Sequence, residues 1–237
     1  MPQAAATQPD HLPPPSPLPP LAPLPPLPEQ AARLVGLGLH DRAGLAAADV
    51  LAAADELAGD GGLLVVHPRL LPPSVLAPFL RHRDRPGFVV ADMTDVDLFA
   101  PVDGVGPPAA DLYVVRGPDR GDDLANRSPD EALPAITAAG RSPLTLAEGL
   151  HWVLQQPGVL ERNHCFMTVG SRLRRADGRL DARTPAIWIS NGTGRDGPAH
   201  RHAPKVGWCW AGNRHTWLGF ASASSRCAPP AATSADR

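Results

Sequence analysis

The sequence predicts an α+β fold: a mixed α/β N-terminal half packed with a C-terminal antiparallel β unit in a single domain, after a disordered Pro-rich N-terminus. Three observations support this prediction. The 237 residues, of which 43% are hydrophobic, are enough for one core of ordinary size. Helix-starting patterns occur before residue 160, whereas short apolar runs of strand length dominate after residue 163.

The N-terminal stretch is rich in proline, with 12 Pro among residues 1–30. Such a segment has few backbone donors and few core-forming side chains, so we expect residues 1–31 to be a disordered tail. Its PxxP spacing would also suit an aromatic groove, which is the less favoured interpretation. The folded domain is expected over 32–227, followed by a short disordered tail over 228–237.

The first predicted helix follows Asp41 and ends at Gly59. Its apolar face is formed by Leu45, Val50, Leu51, Ala54 and Leu57. Apolar runs at 63–66 and 88–90 flank a predicted helix from Ser74 to about Arg81, which suggests a βαβ-like unit. The run at 112–115 predicts another strand.

Two later helices have well-defined starts. Ser128 and Thr145 each precede a Glu by three residues, at Glu131 and Glu148, which is the capping-box pattern. The first of these also has proline at its first helical position. The second predicted helix carries an apolar side and is stopped by Pro157-Gly158; that side is formed by Leu146, Leu150, Val153 and Leu154.

Beyond Asn163 the apolar runs become short and are separated by turn-rich segments. They predict strands at 165–169, 186–190, 206–210 and 216–220. The last two strands, joined by residues 211–215, are predicted to form a β-hairpin.

The charge is unevenly distributed along the chain. Residues 1–161 carry 10 basic and 20 acidic residues, and residues 162–237 carry 12 and 4, so a net charge of −2 conceals an acidic front and a basic back. We favour the interpretation that the two halves neutralise each other. Nucleic-acid binding by the basic half is a less favoured alternative, and an ordinary solvated surface is a third.

Three scattered cysteines exclude a disulfide framework, and no CxxC pair is present. The Pro-rich leader has no basic n-region and resembles neither a signal peptide nor a membrane span. We therefore expect a soluble cytoplasmic protein with no membrane partner. No cofactor motif is present, and the sequence does not indicate an oligomeric state.

One group of side chains around the C-terminal strands is the candidate ligand-binding site. Its members are Asn163, His164, Trp208, Trp210, Asn213 and His215. Trp208 and Trp210 should face the same side of their strand, with Cys209 on the other. If that side is open, the two rings would stack on a small molecule, although a tryptophan stripe is more often core.

Chemical alternatives exist for the same group. Cys165, Cys209, His164 and His215 are zinc-ligand types without the close pairing of a zinc motif. Cys165 with His215 as its base would be a nucleophile, but a cysteine on an apolar strand is usually buried and inert. A packed cysteine and a hydrogen-bonded histidine are therefore the favoured interpretation.

Two acidic clusters follow predicted strands, at Asp92, Asp95 and Asp97 and at Asp119, Asp122 and Asp123. They would suit Mg²⁺, but such loops are more often caps and turns, and Arg120 is placed to neutralise the second cluster. The GxGxxG string from Gly192 to Gly197 precedes a loop instead of a helix, so we interpret it as a linker.

Several long strings are compositionally unusual: NHCFMTVGSR, PAIWISNG, PKVGWCWAGNRHTWLGFAS, GFVVADMTDVDLF, DRGDDLANRSPDEALPAI and GRSPLTLAEGLHWVLQQP. In these strings, over about residues 35–227, the chain resembles the DUF5701 family of actinobacterial proteins. The family is uncharacterised, so the resemblance implies no catalytic or binding residue. The Pro-rich leader and the stretch 191–202 depart from the family pattern.

The favoured functional hypothesis is a non-catalytic small-molecule-binding or regulatory module. An alternative is a hydrolytic enzyme that uses Asp and metal or Cys and His chemistry. A further alternative is a nucleic-acid-binding protein acting through its basic C-terminal region.

Overall fold

The helices of the protein lie mainly in its first two thirds. The computed structural model describes residues 21–59 and 61–229, and within them it has six α-helices. These are α1 (Leu27–Gly36), α2 (Leu39–Arg42), α3 (Ala47–Glu56), α4 (Pro73–Leu76), α5 (Pro129–Ala138) and α6 (Leu146–Gln155). A 3₁₀ turn, Ala77–Phe79, extends α4, so the helix predicted over 74–81 is present in a shorter form.

The strands are short and occur throughout the chain. The first seven are β1 (Leu63–Val66), β2 (Arg81–His82), β3 (Arg85–Pro86), β4 (Phe88–Val89), β5 (Ala100–Pro101), β6 (Leu112–Arg116) and β7 (Ser142–Pro143). The others are β8 (Cys165–Met167), β9 (Ser171–Arg172), β10 (Arg183–Ile189), β11 (Pro204–Trp210), β12 (Leu218–Phe220), β13 (Ser222–Ala223) and β14 (Ser225–Cys227). This mixture confirms the predicted α+β class.

Two sheets organise the core. The smaller sheet has the antiparallel order β1-β6-β14, and the larger has the order β12-β8-β10-β11-β4. In the larger sheet the central strand β10 is antiparallel to both β8 and β11, as the predicted antiparallel unit requires. The edge strands β4 and β12 are each parallel to their neighbours.

Helix α6 lies between the two sheets, and all ten of its residues are buried. On one side His151 accepts a hydrogen bond from the backbone N–H of Val66 in β1, at 3.2 Å. On the other side the ring of Trp152 packs on Phe166 of β8, with ring centroids 5.5 Å apart. The helix is therefore the centre of a three-layer arrangement. Its burial extends beyond the predicted apolar side and includes the polar residues Glu148, His151 and Gln155.

Gly149 marks the closest approach of α6 to the larger sheet. A Cβ added there would lie 2.6 Å from Cγ2 of Thr168 and 3.1 Å from the ring of Phe166. We expect Gly149→Ala to lower the free energy of unfolding by about 1–3 kcal/mol, because overpacking outweighs the gain in helix propensity. Chemical denaturation measures this change. Gly36→Ala in α1 is the control, since nothing lies within 4 Å of its added Cβ, and an equal loss in both variants would contradict the packing argument.

Both capping boxes are confirmed. In α5 the Glu131 side chain accepts from the Ser128 backbone N–H at 2.9 Å, and in α6 Glu148 does the same for Thr145 at 2.8 Å. The strand predicted at 112–115 is also present, as β6. These elements depend on residues close together in sequence.

The predicted N-terminal tail, 1–31, is wrong at its C-terminal end. Residues 1–20 lie outside the described part, but helix α1 begins at Leu27, inside the predicted tail. Pro28 occupies one of the first helical positions, where a missing N–H is tolerated. Gln30 is fully buried, and its side chain donates to Gly62 O and accepts from Leu64 N. The high proline content therefore led to the prediction of a disordered tail at residues where a helix begins.

Two predicted strand pairings are wrong. The runs at 63–66 and 88–90 do not form a βαβ unit, because β1 belongs to the smaller sheet and β4 to the larger. The strands at 206–210 and 216–220 do not form a hairpin. Strand β11 pairs with β10, and β12 crosses to pair with β8 at the opposite side of the sheet.

Ion pairs join the acidic front to the basic back. Six pairs link a carboxylate before residue 162 to an arginine after it: Asp130–Arg172, Asp103–Arg174, Asp95–Arg183, Asp92–Arg195, Glu131–Arg214 and Glu148–Arg226. These contacts support the interpretation that the two halves neutralise each other. In the described residues, none of the helices has the length and apolar character that crossing a membrane requires.

Candidate functional site

Trp208, which is half-buried, and Trp210, which is exposed, form an aromatic pair on β11. Their ring centroids are 4.6 Å apart at 65°, and Trp210 is 48% exposed. Both project from the same face of the strand, as predicted, and Cys209 projects from the other. Side chains alternate along β11, so Lys205 faces the side opposite to Trp208 and Trp210. Trp188 of β10 pairs in register with Lys205 and therefore lies on that opposite face.

The loop 211–215 is held by the acidic half of the chain. Its Ala211 carbonyl accepts from Asp130 N at 3.2 Å, and the His215 carbonyl accepts from Asn126 N at 2.9 Å. Asn213 is exposed and its N–H donates to Trp210 O. The ring of His215 lies 5.4 Å from that of Trp217, and burial lowers the pKa of His215.

A cleft of about 230 Å³ lies at one end of the larger sheet. Its lining includes one member of the predicted site, Asn163. The complete lining is Arg162, Asn163, Cys165, Trp188, Ile189, Asn191 and Trp217. Aromatic, amide and guanidinium groups therefore converge on a small concave surface, which is the usual composition of a ligand site.

The strand order brings these residues together. Strand β8 begins at Cys165, its antiparallel neighbour β10 ends at Ile189, and its parallel neighbour β12 begins at Leu218 opposite Cys165. The start of β8, the end of β10 and the start of β12 therefore lie side by side at the same end of the sheet. Ahead of β8, a tight turn places Asn163 at φ 67°, and backbone bonds between Glu161 and His164 close that turn. His164 itself is half-buried.

Two tryptophans form the aromatic walls of the cleft. The rings of Trp188 and Trp217 meet edge to face, with centroids 6.4 Å apart at 68°. Trp188 is held in place because its ring covers Gly207, where an added Cβ would lie 2.6 Å from the ring. The ammonium of Lys205 lies 4.9 Å from the centroid of the Trp188 ring. The walls are therefore preorganised by neighbours on β11.

The cleft does not favour thiolate chemistry. Cys165 is buried, and its burial raises the pKa of the thiol to about 11. The thiol donates to the Glu161 carbonyl at 3.3 Å and makes no hydrogen bond to a histidine among the described residues. At neutral pH the thiol is therefore protonated, so the geometry gives no support to Cys165 as a nucleophile with His215 as its base.

The acidic loops are occupied by structural contacts. Asp95 accepts two bonds from Arg183, Asp97 accepts from the N–H and hydroxyl of Ser74, and Asp122 pairs with Arg120. Within 21–59 and 61–229, no three His, Cys, Asp or Glu side chains are grouped as metal ligands would be. The GxGxxG segment is a loop with one 3₁₀ turn, a second 3₁₀ turn follows it, and Asp196 within the segment pairs with Lys205.

The structure therefore divides the predicted site. Asn163 lines the cleft, and His215 supports its Trp217 wall from outside. Trp208 and Trp210 lie on the other face of the sheet. Five lining residues were not predicted from the sequence: Arg162, Trp188, Ile189, Asn191 and Trp217. Only Asn191 had a sequence signal, because it follows the end of strand β10, which carries Trp188.

Comparison with known proteins identifies a family for the chain but does not identify an activity. No curated protein matches the chain, and no solved structure matches it. A family model does match, over residues 33–229, and it is described as a family of unknown function. The match includes every residue of the cleft and both main sheets. The chain therefore belongs to the DUF5701 family.

Proposed function

We propose that the protein is a non-catalytic binding module whose ligand is a small, ring-containing molecule held in the cleft. The observation that carries this proposal is the edge-to-face pair of Trp188 and Trp217 at the mouth of a preformed cavity. A flat ring placed against either indole gains apolar burial and stacking without a large rearrangement.

Polar groups at the cleft supply orientation. Asn163 and Asn191 each offer an amide, which donates and accepts, and the Arg162 guanidinium donates to Asn191 Oδ1 at 3.4 Å. The cleft volume is about 230 Å³, which is below the roughly 300–1,000 Å³ of ligand pockets for drug-sized molecules. A ring of metabolite size fits this volume, with its substituents at the rim.

Asn163→Gly is the variant that tests the proposal with least risk to the fold. Asn163 is exposed and has φ 67°, a conformation that glycine adopts without strain. Asn126→Gly is a matched control, because Asn126 has φ 66° and does not line the cleft. Both variants remove an amide from the same backbone conformation.

The experiment is a melting-temperature screen with ring-containing metabolites, followed by affinity measurement on the hits. We expect ligands that change the tryptophan fluorescence of the wild type to bind Asn126→Gly equally and Asn163→Gly about tenfold more weakly, as for the loss of one hydrogen bond to the ligand. Ligands that bind both variants with the same affinity, or a screen with no hit that changes the fluorescence, would contradict the proposal.

A further inference from the structure

A group of basic side chains borders the cleft, which we call the basic rim: Arg83, Arg162, Arg201, His82 and His202. Arg162 lines the cleft directly. The side chain of Arg201 touches Gly192, beside the lining residue Asn191, since a Cβ added at Gly192 would lie 2.5 Å from Arg201 Cβ. The His202 N–H donates to Ser190 O at 2.9 Å, and the His202 carbonyl lies 2.8 Å from His82 Nδ1.

The charge of the basic rim is not neutralised by the chain's own acids. Among residues 21–59 and 61–229, no carboxylate forms an ion pair with Arg83, Arg162 or Arg201. Elsewhere in the basic half, six arginines are paired with carboxylates of the acidic half. Arg162 and Arg201 of the basic half, and Arg83 of the acidic half, therefore keep positive charge beside the cleft that no ion pair in the described part of the chain offsets.

The positive charges of the basic rim act on His202. The pKa of His202 is lowered by burial of the ring and further by the positive charges of Arg201, Arg83 and Arg162 and by His82. His202 therefore favours its neutral form and is available as a hydrogen-bond donor without adding to the repulsion.

Unusual backbone conformations coincide with this border. In the described residues only four non-glycine residues have positive φ, and three of them are here: Arg83 at 46°, Asn163 at 67° and His202 at 71°. Arg83 is the first residue of the two-residue loop between β2 and β3, a position where glycine is favoured. Strain of this kind at an arginine is typical of a position kept for its side chain.

We propose that the ligand of the cleft carries a phosphate group, which the basic rim binds while the ring of the ligand lies against Trp188 or Trp217. This inference rests on the proposed function. Three guanidinium groups match the double negative charge and three oxygens of a phosphate monoester better than a single carboxylate, which one arginine satisfies. The compact cleft and the local charge favour a small molecule over a nucleic-acid strand, which needs an extended basic track.

The first probe is inorganic phosphate, compared with chloride at equal ionic strength. We expect phosphate to raise the melting temperature of the wild type. Arg162→Gln and Arg201→Gln should each weaken phosphate binding about tenfold, as for the loss of a charge-assisted hydrogen bond. Arg179→Gln is the charge-matched control, because Arg179 is exposed and lies outside the rim. No phosphate effect beyond chloride, or equal losses in all three variants, would overturn the inference.

Arg83→Gly separates binding from folding. Glycine adopts the φ of 46° freely, so we expect the free energy of unfolding to stay the same or to rise while phosphate affinity falls about tenfold. Retained phosphate affinity in this variant would exclude Arg83 and leave too little charge for the proposed site.

A second pair of probes, adenosine monophosphate and adenosine, distinguishes the two proposals. Tighter binding of the monophosphate, sensitive to Arg83→Gly, supports the phosphate inference. If neutral ring-containing ligands bind and their binding needs Asn163, but phosphate does not bind, the inference fails and the proposed function stands. If phosphate binds and no ring ligand depends on Asn163, the proposed function fails. Preference for single-stranded RNA over the mononucleotide, with a steep salt dependence, would overturn the small-ligand assignment.

Discussion

Arg226→Met is expected to lower the free energy of unfolding by about 3–5 kcal/mol, which is the cost of leaving one partner of a buried ion pair alone. The Arg226 guanidinium binds both carboxylate oxygens of Glu148, at 2.5 and 2.7 Å, and Glu148 is fully buried in α6. The arginine comes from the last strand, β14, so this single contact joins the C-terminal end of the chain to its central helix. Chemical denaturation of the variant and the wild type measures the loss.

The remaining partners of Glu148 do not replace the lost charge. Tyr113 donates to Oε1 at 3.1 Å and the Thr145 N–H donates to Oε2 at 2.8 Å, but both are neutral. In Arg226→Met the buried carboxylate of Glu148 is therefore left without a counter-charge.

The double variant Glu148→Gln/Arg226→Met is the control for charge. A glutamine keeps an acceptor for the capping bond and carries no charge, so we expect the double variant to recover most of the stability that Arg226→Met loses. If the double variant is as unstable as the single one, the loss is one of packing, and the argument from an unpaired buried charge is wrong.

Local patterns explain which parts of the fold were predictable. The capping boxes at Ser128 and Thr145 need only residues three positions apart, and both were found where the sequence places them. Strand pairing depends on partners far apart in sequence. The hairpin prediction failed because β12 pairs in parallel with β8, a contact between Leu218 and Cys165 that no turn pattern encodes.

The same distinction applies to the candidate site. Alternation along β11 was enough to predict that Trp208 and Trp210 share a face, and the structure confirms it. The cleft required the strand order, because Trp188 and Trp217 come from β10 and from the approach to β12 and meet only when β8 lies between those strands. Asn163 was found because it adjoins a strand start that the apolar pattern already marked.

The distribution of charge along the sequence predicts the attraction between the two halves of the chain. It does not predict which individual residues form ion pairs. The contrast between an acidic front and a basic back predicts attraction between them, and bonds such as Asp95 to Arg183 realise it. Which arginines would stay without a carboxylate depends on tertiary placement. The basic rim is visible only after the paired arginines are assigned, so it is the part of the site that sequence reasoning could not reach.

Acid should weaken the fold through His151, by about 3 kcal/mol between pH 6.5 and 4. Burial in α6 lowers the pKa of His151 from 6.5 to about 4, and its ring accepts from Val66 N through Nε2 at 3.2 Å while Nδ1 lies 2.8 Å from the Ala147 carbonyl. The unfolded chain takes up a proton below pH 6.5 and the folded chain does so only near pH 4, so stability falls as the pH decreases through this window.

His151→Gln keeps an acceptor for Val66 and does not titrate. The difference in unfolding free energy between the wild type and this variant should therefore change with pH in this window and be constant above pH 7.5; a constant difference throughout would show that the ring is protonated equally in both states.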